Sequence, residues 1–149
     1  MYRLIFLLIF FSFTLEAHQP KLVYQSPTIE NPFIVNDPEI SKAFYGQLKG
    51  DPHYFKIVSD TQFLFYTGIL IPKVNDTYKS LSLDVIDKNN TILFQADGES
   101  FQWNAWHEPY ARDDYWKGPE IGTDTNTEFK TSFPLAAGTY YIKVYNKNN

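Results

Sequence analysis

Apolar and aromatic residues in this chain recur at every second position, and that spacing is the strongest constraint on its fold. Tyr141, Lys143 and Tyr145 fall on one side of an extended segment, and Tyr140, Ile142 and Val144 fall on the other. The same alternation marks His53 to Val58, where Tyr54, Lys56 and Val58 oppose His53, Phe55 and Ile57. A period of two belongs to strands, whose successive side chains point to opposite faces. Eleven Tyr and thirteen Phe strengthen this reading, since aromatic side chains suit a pleated, half-buried surface.

The order of strand signals gives an architecture. Thr61 to Ile71 reads as one long strand ended by Pro72, with Gly68 inside it marking a bulge or a close backbone approach. Leu81 to Ile86 and Thr91 to Gln95 flank Asp87-Lys88-Asn89-Asn90, a turn sequence, and so predict a hairpin. Glu128 to Phe133, the turn Ala136-Ala137-Gly138 and the return Thr139 to Tyr145 predict a closing pair. The expected fold is all-β: an antiparallel two-sheet sandwich, jelly-roll-like. Its core should draw on Phe55, Ile57, Phe63, Phe65, Ile69, Leu81, Leu83, Val85, Leu93, Phe129, Phe133, Tyr140, Ile142 and Val144.

Before the sandwich (53–149) comes a lead-in over 18–52 that Pro20, Pro27 and Pro32 keep extended. Leu22-Val23-Tyr24 and Phe33-Ile34-Val35 can each add an edge strand. Asp37-Pro38-Glu39 carries helix-start chemistry, which predicts one short helix over 38–45 ending at Gly46. At the N-terminus, Arg3 precedes the uncharged run Leu4 to Leu15, and Glu16-Ala17 breaks it. This is the pattern of a secretory signal peptide over 1–17. The run is shorter than the roughly 20 apolar residues that span a bilayer. Cleavage after Ala17 would remove seventeen of the 149 residues and leave 132, enough for one domain. The expected location is therefore secreted, periplasmic or cell-surface. Leu15 is larger than the small residue usual three positions before a cleavage site, so a retained anchor is the alternative.

The run Phe133-Pro134-Leu135-Ala136-Ala137-Gly138-Thr139-Tyr140-Tyr141-Ile142-Lys143-Val144 resembles the last part of bacterial pre-peptidase C-terminal-type domains and related jelly-roll modules. The hairpin from Leu81 to Leu93 is similar to their middle hairpin. The resemblance covers residues 53–146 and implies a secreted β-sandwich closed by these strands. It does not extend to residues 97–127, an insert not typical of that family.

Function narrows by exclusion first. The net charge is −4, and Arg3 and Glu16 cancel, so the chain after Ala17 is equally acidic. With no basic stripe, nucleic acid is not an expected partner. No cysteine is present, which removes thiol catalysis, cysteine-ligated zinc and a lipidated cysteine anchor. No Gly-x-Ser-x-Gly elbow, zincin helix or phosphate-cradling loop occurs. Glu108 with Asp114 would be the carboxylate pair of a glycosidase, but any acidic loop offers as much. The chain reads as non-catalytic.

The 97–127 insert, expected to be irregular, holds all three Trp and is the candidate site. Trp103, Trp106, Tyr110, Tyr115 and Trp116 can stack on sugar rings or anchor a protein, with Glu108 and Arg112 as orienting polar groups. A glycan or a cell-surface protein is the expected partner. The competing reading folds these aromatics back over an open end of the sandwich as a satellite core. Asp113, Asp114, Glu120 and Asp124, with Glu108, form a possible calcium (Ca2+) set. A copper (Cu2+) site is a further option if cleavage exposes His18, whose amine and imidazole would pair with His107 or His53. An envelope structural protein is the remaining class. Sequons at Asn75 and Asn89 matter only in a eukaryotic secretory pathway.

Overall fold

The computed structural model describes residues 19–74, 79–109, 111–122 and 132–147. The signal-peptide segment, His18, the Asn75 sequon, Tyr110, Asp124 and Phe129 lie outside them. The described residues form an all-β protein of several sheets, consistent with a β-sandwich, and none of them is in a helix. Accordingly, no helix among them is long and apolar enough to cross a membrane.

The strands are β1 (Gln19–Val23), β2 (Phe33–Val35), β3 (Lys42–Gly46), β4 (His53–Ser59), β5 (Phe63–Phe65) and β6 (Thr67–Pro72). They continue with β7 (Leu81–Asp87), β8 (Ile92–Ala96), β9 (Asn104–His107), β10 (Asp114–Ile121), β11 (Phe133–Leu135) and β12 (Gly138–Asn146). The largest sheet has the order β2-β4-β12-β7-β8. The ladders β6-β10-β9 and β11-β5 pack onto its inner face, and β1-β3 forms a separate two-stranded ribbon.

Alternation decides what lies inside. Register places Phe33, Phe55, Ile142, Val85 and Phe94 in one row across all five strands of the large sheet. Leu83 and Val85 are fully buried on its interior strand β7, between β12 and β8. Phe63, Phe65, Ile69, Ile71, Ile121 and Leu135 close the core from the opposing strands. Phe63 meets Tyr140 at 5.8 Å between ring centroids, and Phe94 meets Phe133 at 4.5 Å.

Leu93 departs from the expected core: it is 39% exposed. The ladder pairs Val85 with Phe94 and Ile86 with Ile92, so Leu93 is the extra residue of a bulge. Phe94 pairs with Val85 on the inward side and meets Phe133, though at this sheet edge it too is 37% exposed.

The short helix over 38–45 is also corrected. Asp37 to Ile40 is one turn, closed by Ile40 N–H donating to Asp37 O at 3.0 Å, and Asp37 has φ 48°. Lys42 Nζ donates to the carbonyls of Asp37 and Ile40 at 2.7 and 3.0 Å. The chain then runs as β3, parallel to β1. A helix this short needs tertiary packing to persist. Here packing favours the strand: Phe44 of β3 sits 5.5 Å from Phe33 and 5.1 Å from Phe55, joining β2, β3 and β4.

All three lead-in strands pair in parallel, β1 with β3 and β2 with β4, so the sheets are not purely antiparallel. Phe33–Val35 does occupy a sheet edge, as expected. Thr61 to Ile71 is not one strand. It breaks at Tyr66, whose hydroxyl hydrogen-bonds Ser41, and its halves join different ladders. The Ala136–Gly138 turn likewise joins strands of different sheets: β11 pairs with β5, whereas β12 pairs with β4 and β7.

Candidate functional site: an aromatic hairpin

Within the described part of the insert, residues 104–121 form a β-hairpin, not an irregular flap. Asn104-Ala105-Trp106-His107 pairs antiparallel with Lys117-Trp116-Tyr115-Asp114, and β10 pairs on its other side with β6. The turn is closed by Glu108 N–H to Asp113 O and Arg112 N–H to Glu108 O, both 2.9 Å. Arg112 adopts φ 61°, and the Glu108 carboxylate accepts the N–H of Ala111. Glu108 therefore shapes the turn. The signal for this hairpin was present as two extended runs around a polar, Pro-containing turn, but three indoles in a row of mixed charges obscured the period.

Alternation sorts the aromatics into two roles. Trp106 and Tyr115 stand directly opposite each other on the outer face, with centroids 6.2 Å apart and planes at 36°. Trp106 is 38% exposed. The Tyr115 phenol is pushed above its ordinary range, first by burial and then by Asp113, Tyr45 and Glu108. Trp116 lies on the other face and packs against the core. Lys79 Nζ is 4.0 Å and Lys73 Nζ 5.1 Å from its ring centroid, and the indole N–H is buried without an acceptor among the described residues.

Trp103 also packs against the core. Its Nε1 donates to Gly98 O at 2.8 Å. For Trp103 and Trp116 the satellite-core reading holds, so the predicted aromatic set does not share one surface.

The acidic residues among the described ones, Glu108, Asp113, Asp114 and Glu120, do not converge. Asp114 accepts from His107 Nδ1 at 3.0 Å at the exposed end of the hairpin. Glu120 pairs with Lys117 at 3.2 Å, six residues along β10 from Asp114, about 20 Å at strand rise. Its aliphatic stem fills the space beside Gly68, where a Cβ would come within 2.8 Å of Glu120 Cγ, so Gly68 does mark a close approach. Asp113 sits in the turn. Among the described residues no three His, Asp or Glu side chains are grouped as a metal site. His107 is exposed on the hairpin, whereas His53 is only 5% exposed, facing the core from the start of β4. Burial holds the His53 pKa below its ordinary value.

No protein-family model, curated protein or solved structure matches the chain.

Proposed function

We propose that this chain is an exported, non-catalytic binding module with a jelly-roll-like sandwich, which takes a glycan across the outer face of the β9–β10 hairpin. The observation that carries this reading is the Trp106–Tyr115 pair. Two large rings stand side by side on the solvent face of a paired strand, outside the core that claims Trp103 and Trp116. Cross-strand pairing holds both rings before any ligand arrives, which lowers the entropy lost on binding. Pro72 and Asn104 flank them, and Arg112 stands in the adjoining turn. The likeness of 133–144 to the closing strands of secreted jelly-roll modules supports the same class, and the N-terminal apolar run supports export.

Glycan-array screening of the chain, followed by calorimetry on the best binder, tests this. Trp106→Ala should weaken that binder at least about tenfold, as expected for a stacked aromatic anchor. An unchanged affinity rejects the hairpin as the site. Intact mass of the protein from its native host tests export, with cleavage after Ala17 as the expected result.

A further inference from the structure

The five-stranded sheet has a second face, turned away from the core. Tyr54 and Lys56 of β4, Tyr141, Lys143 and Tyr145 of β12, and Asp84 of β7 share it by alternation. Register sets Tyr54, Lys143 and Asp84 in one row, with Lys56 opposite Tyr141 in the next. Rings and ammonium groups thus alternate both along and across the strands.

Asp84 is the unusual member. It is only 3% exposed, yet it has no ion-pair partner among the described residues. One carboxylate oxygen, Oδ1, accepts from Gln95 Nε2 at 2.9 Å and from the Tyr145 hydroxyl at 3.2 Å. The other oxygen has no hydrogen bond among the described residues. The buried side-chain atoms without a partner among the described residues are His53 Nε2 and Trp116 Nε1, so this Asp84 oxygen keeps a small opening to solvent. Here the unfilled acceptor belongs to the outward side of the sheet.

The two lysines complement it. Lys143 Nζ lies 4.3 Å from the Tyr145 ring centroid and Lys56 Nζ 5.7 Å from that of Tyr141, and neither is in an ion pair among the described residues. Other charges stand at the margin. Lys147 is paired with Asp97 at 2.6 Å, and Glu30 acts on Tyr54.

We propose that this outer face is a second binding site, specific for an acidic saccharide, a sugar that carries a carboxylate. Tyr54 and Tyr141 offer ring surfaces to the apolar face of a sugar. Lys56 and Lys143 meet the ligand carboxylate, and the unfilled oxygen of Asp84 accepts a sugar hydroxyl. The last requirement separates a sugar from a nucleic-acid backbone. The phosphodiesters of a DNA backbone have no hydroxyl to donate to Asp84, and two lysines on a chain of net charge −4 are too few for a polyanion track. The proposal stands on a different sheet from the hairpin and does not depend on it.

Calorimetry on the full chain tests it, with hexamers of galacturonate, mannuronate and guluronate, a neutral galactose hexamer and a thymidylate hexamer as probes. At least one uronate hexamer should bind, more weakly in high salt. The double variant Lys56→Gln/Lys143→Gln should lose at least about tenfold in affinity, the scale of charge-assisted bonds, with an unchanged melting curve. Trp106→Ala should bind the uronate as the parent chain does. Three results would overturn the proposal: no binding to any uronate, equal binding of the neutral or the thymidylate hexamer, or an affinity indifferent to the two lysines. A uronate lost in Trp106→Ala would move the site to the hairpin and overturn it equally.

Discussion

The benzene ring of Trp103 lies across Gly118, so closely that a Cβ there would fall 2.3 Å from Cζ3 and 2.4 Å from Cη2. The indole has little freedom to withdraw, because its Nε1 is held by Gly98 O. Gly98 is itself pinned: its N–H donates to the buried Ser82 hydroxyl at 3.0 Å, and a Cβ would sit 1.9 Å from Leu81 O. One chain of contacts thus ties the hairpin to β7.

Gly118→Ala should therefore destabilise the protein by about 1–3 kcal/mol, the usual effect of overpacking. Urea denaturation measures it. Adding Trp103→Leu should recover part of the loss by freeing the space, and a double variant no more stable than Gly118→Ala alone would mean the clash lies elsewhere.

Trp116→Ala should lower stability through lost packing, towards the lower end of the roughly 3–5 kcal/mol typical of buried aromatic deletions. Trp106→Ala, on the opposite face, should change the melting temperature little. Parallel calorimetric scans of the two variants decide the matter, and equal melting temperatures would contradict the division of the indoles into inner and outer sets.

His53 should make stability fall in mild acid. Its folded pKa lies below the ordinary 6.5 because burial penalises the imidazolium. Below pH 6.5 the unfolded chain therefore binds the extra proton first, and stability declines as pH falls from there towards the folded pKa. Above pH 6.5 the residue contributes no such slope. His53→Leu should flatten the loss of melting temperature between neutral and mildly acid pH, and an unaltered slope would place its origin in other groups.

The β7–β8 turn should be sensitive at Asn90, which holds φ 64°. The left-handed region disfavours β-branched residues, so Asn90→Val should cost about 1–2 kcal/mol, whereas Asn90→Gly should be nearly neutral. Hydrogen exchange at the Ile92 and Phe94 amides gives a local readout. The Asp87 carboxylate, which accepts Asn89 N–H and Thr91 N–H at 2.8 Å each, has its pKa lowered chiefly by the Thr91 bond. Its contribution to the turn should be complete above the ordinary carboxylate pKa and be lost as pH falls from there through the lowered pKa.

The hairpin of β7 and β8, strands β4 and β12, and most of the buried set were legible because alternation is written residue by residue. Leu93 was misplaced because a single bulge residue inverts the phase of everything beside it. The helix at Pro38 was misplaced because cap chemistry is local, whereas the competing contact of Phe44 with Phe33 and Phe55 joins segments far apart in the chain. At the site, the presence of a Trp-rich segment was visible, but its sorting was not. Trp103 and Trp116 became core and Trp106 stayed outside through a pairing register that composition does not contain.

The sequence alone determined that this chain forms strands and which side chains share each strand face, since a two-residue period follows from backbone geometry at every position. The tertiary structure decided which strands pair, that the three lead-in strands pair in parallel, and which aromatic rings meet solvent. Those outcomes depend on contacts between distant segments, whose energies compete only once the chain has closed on itself.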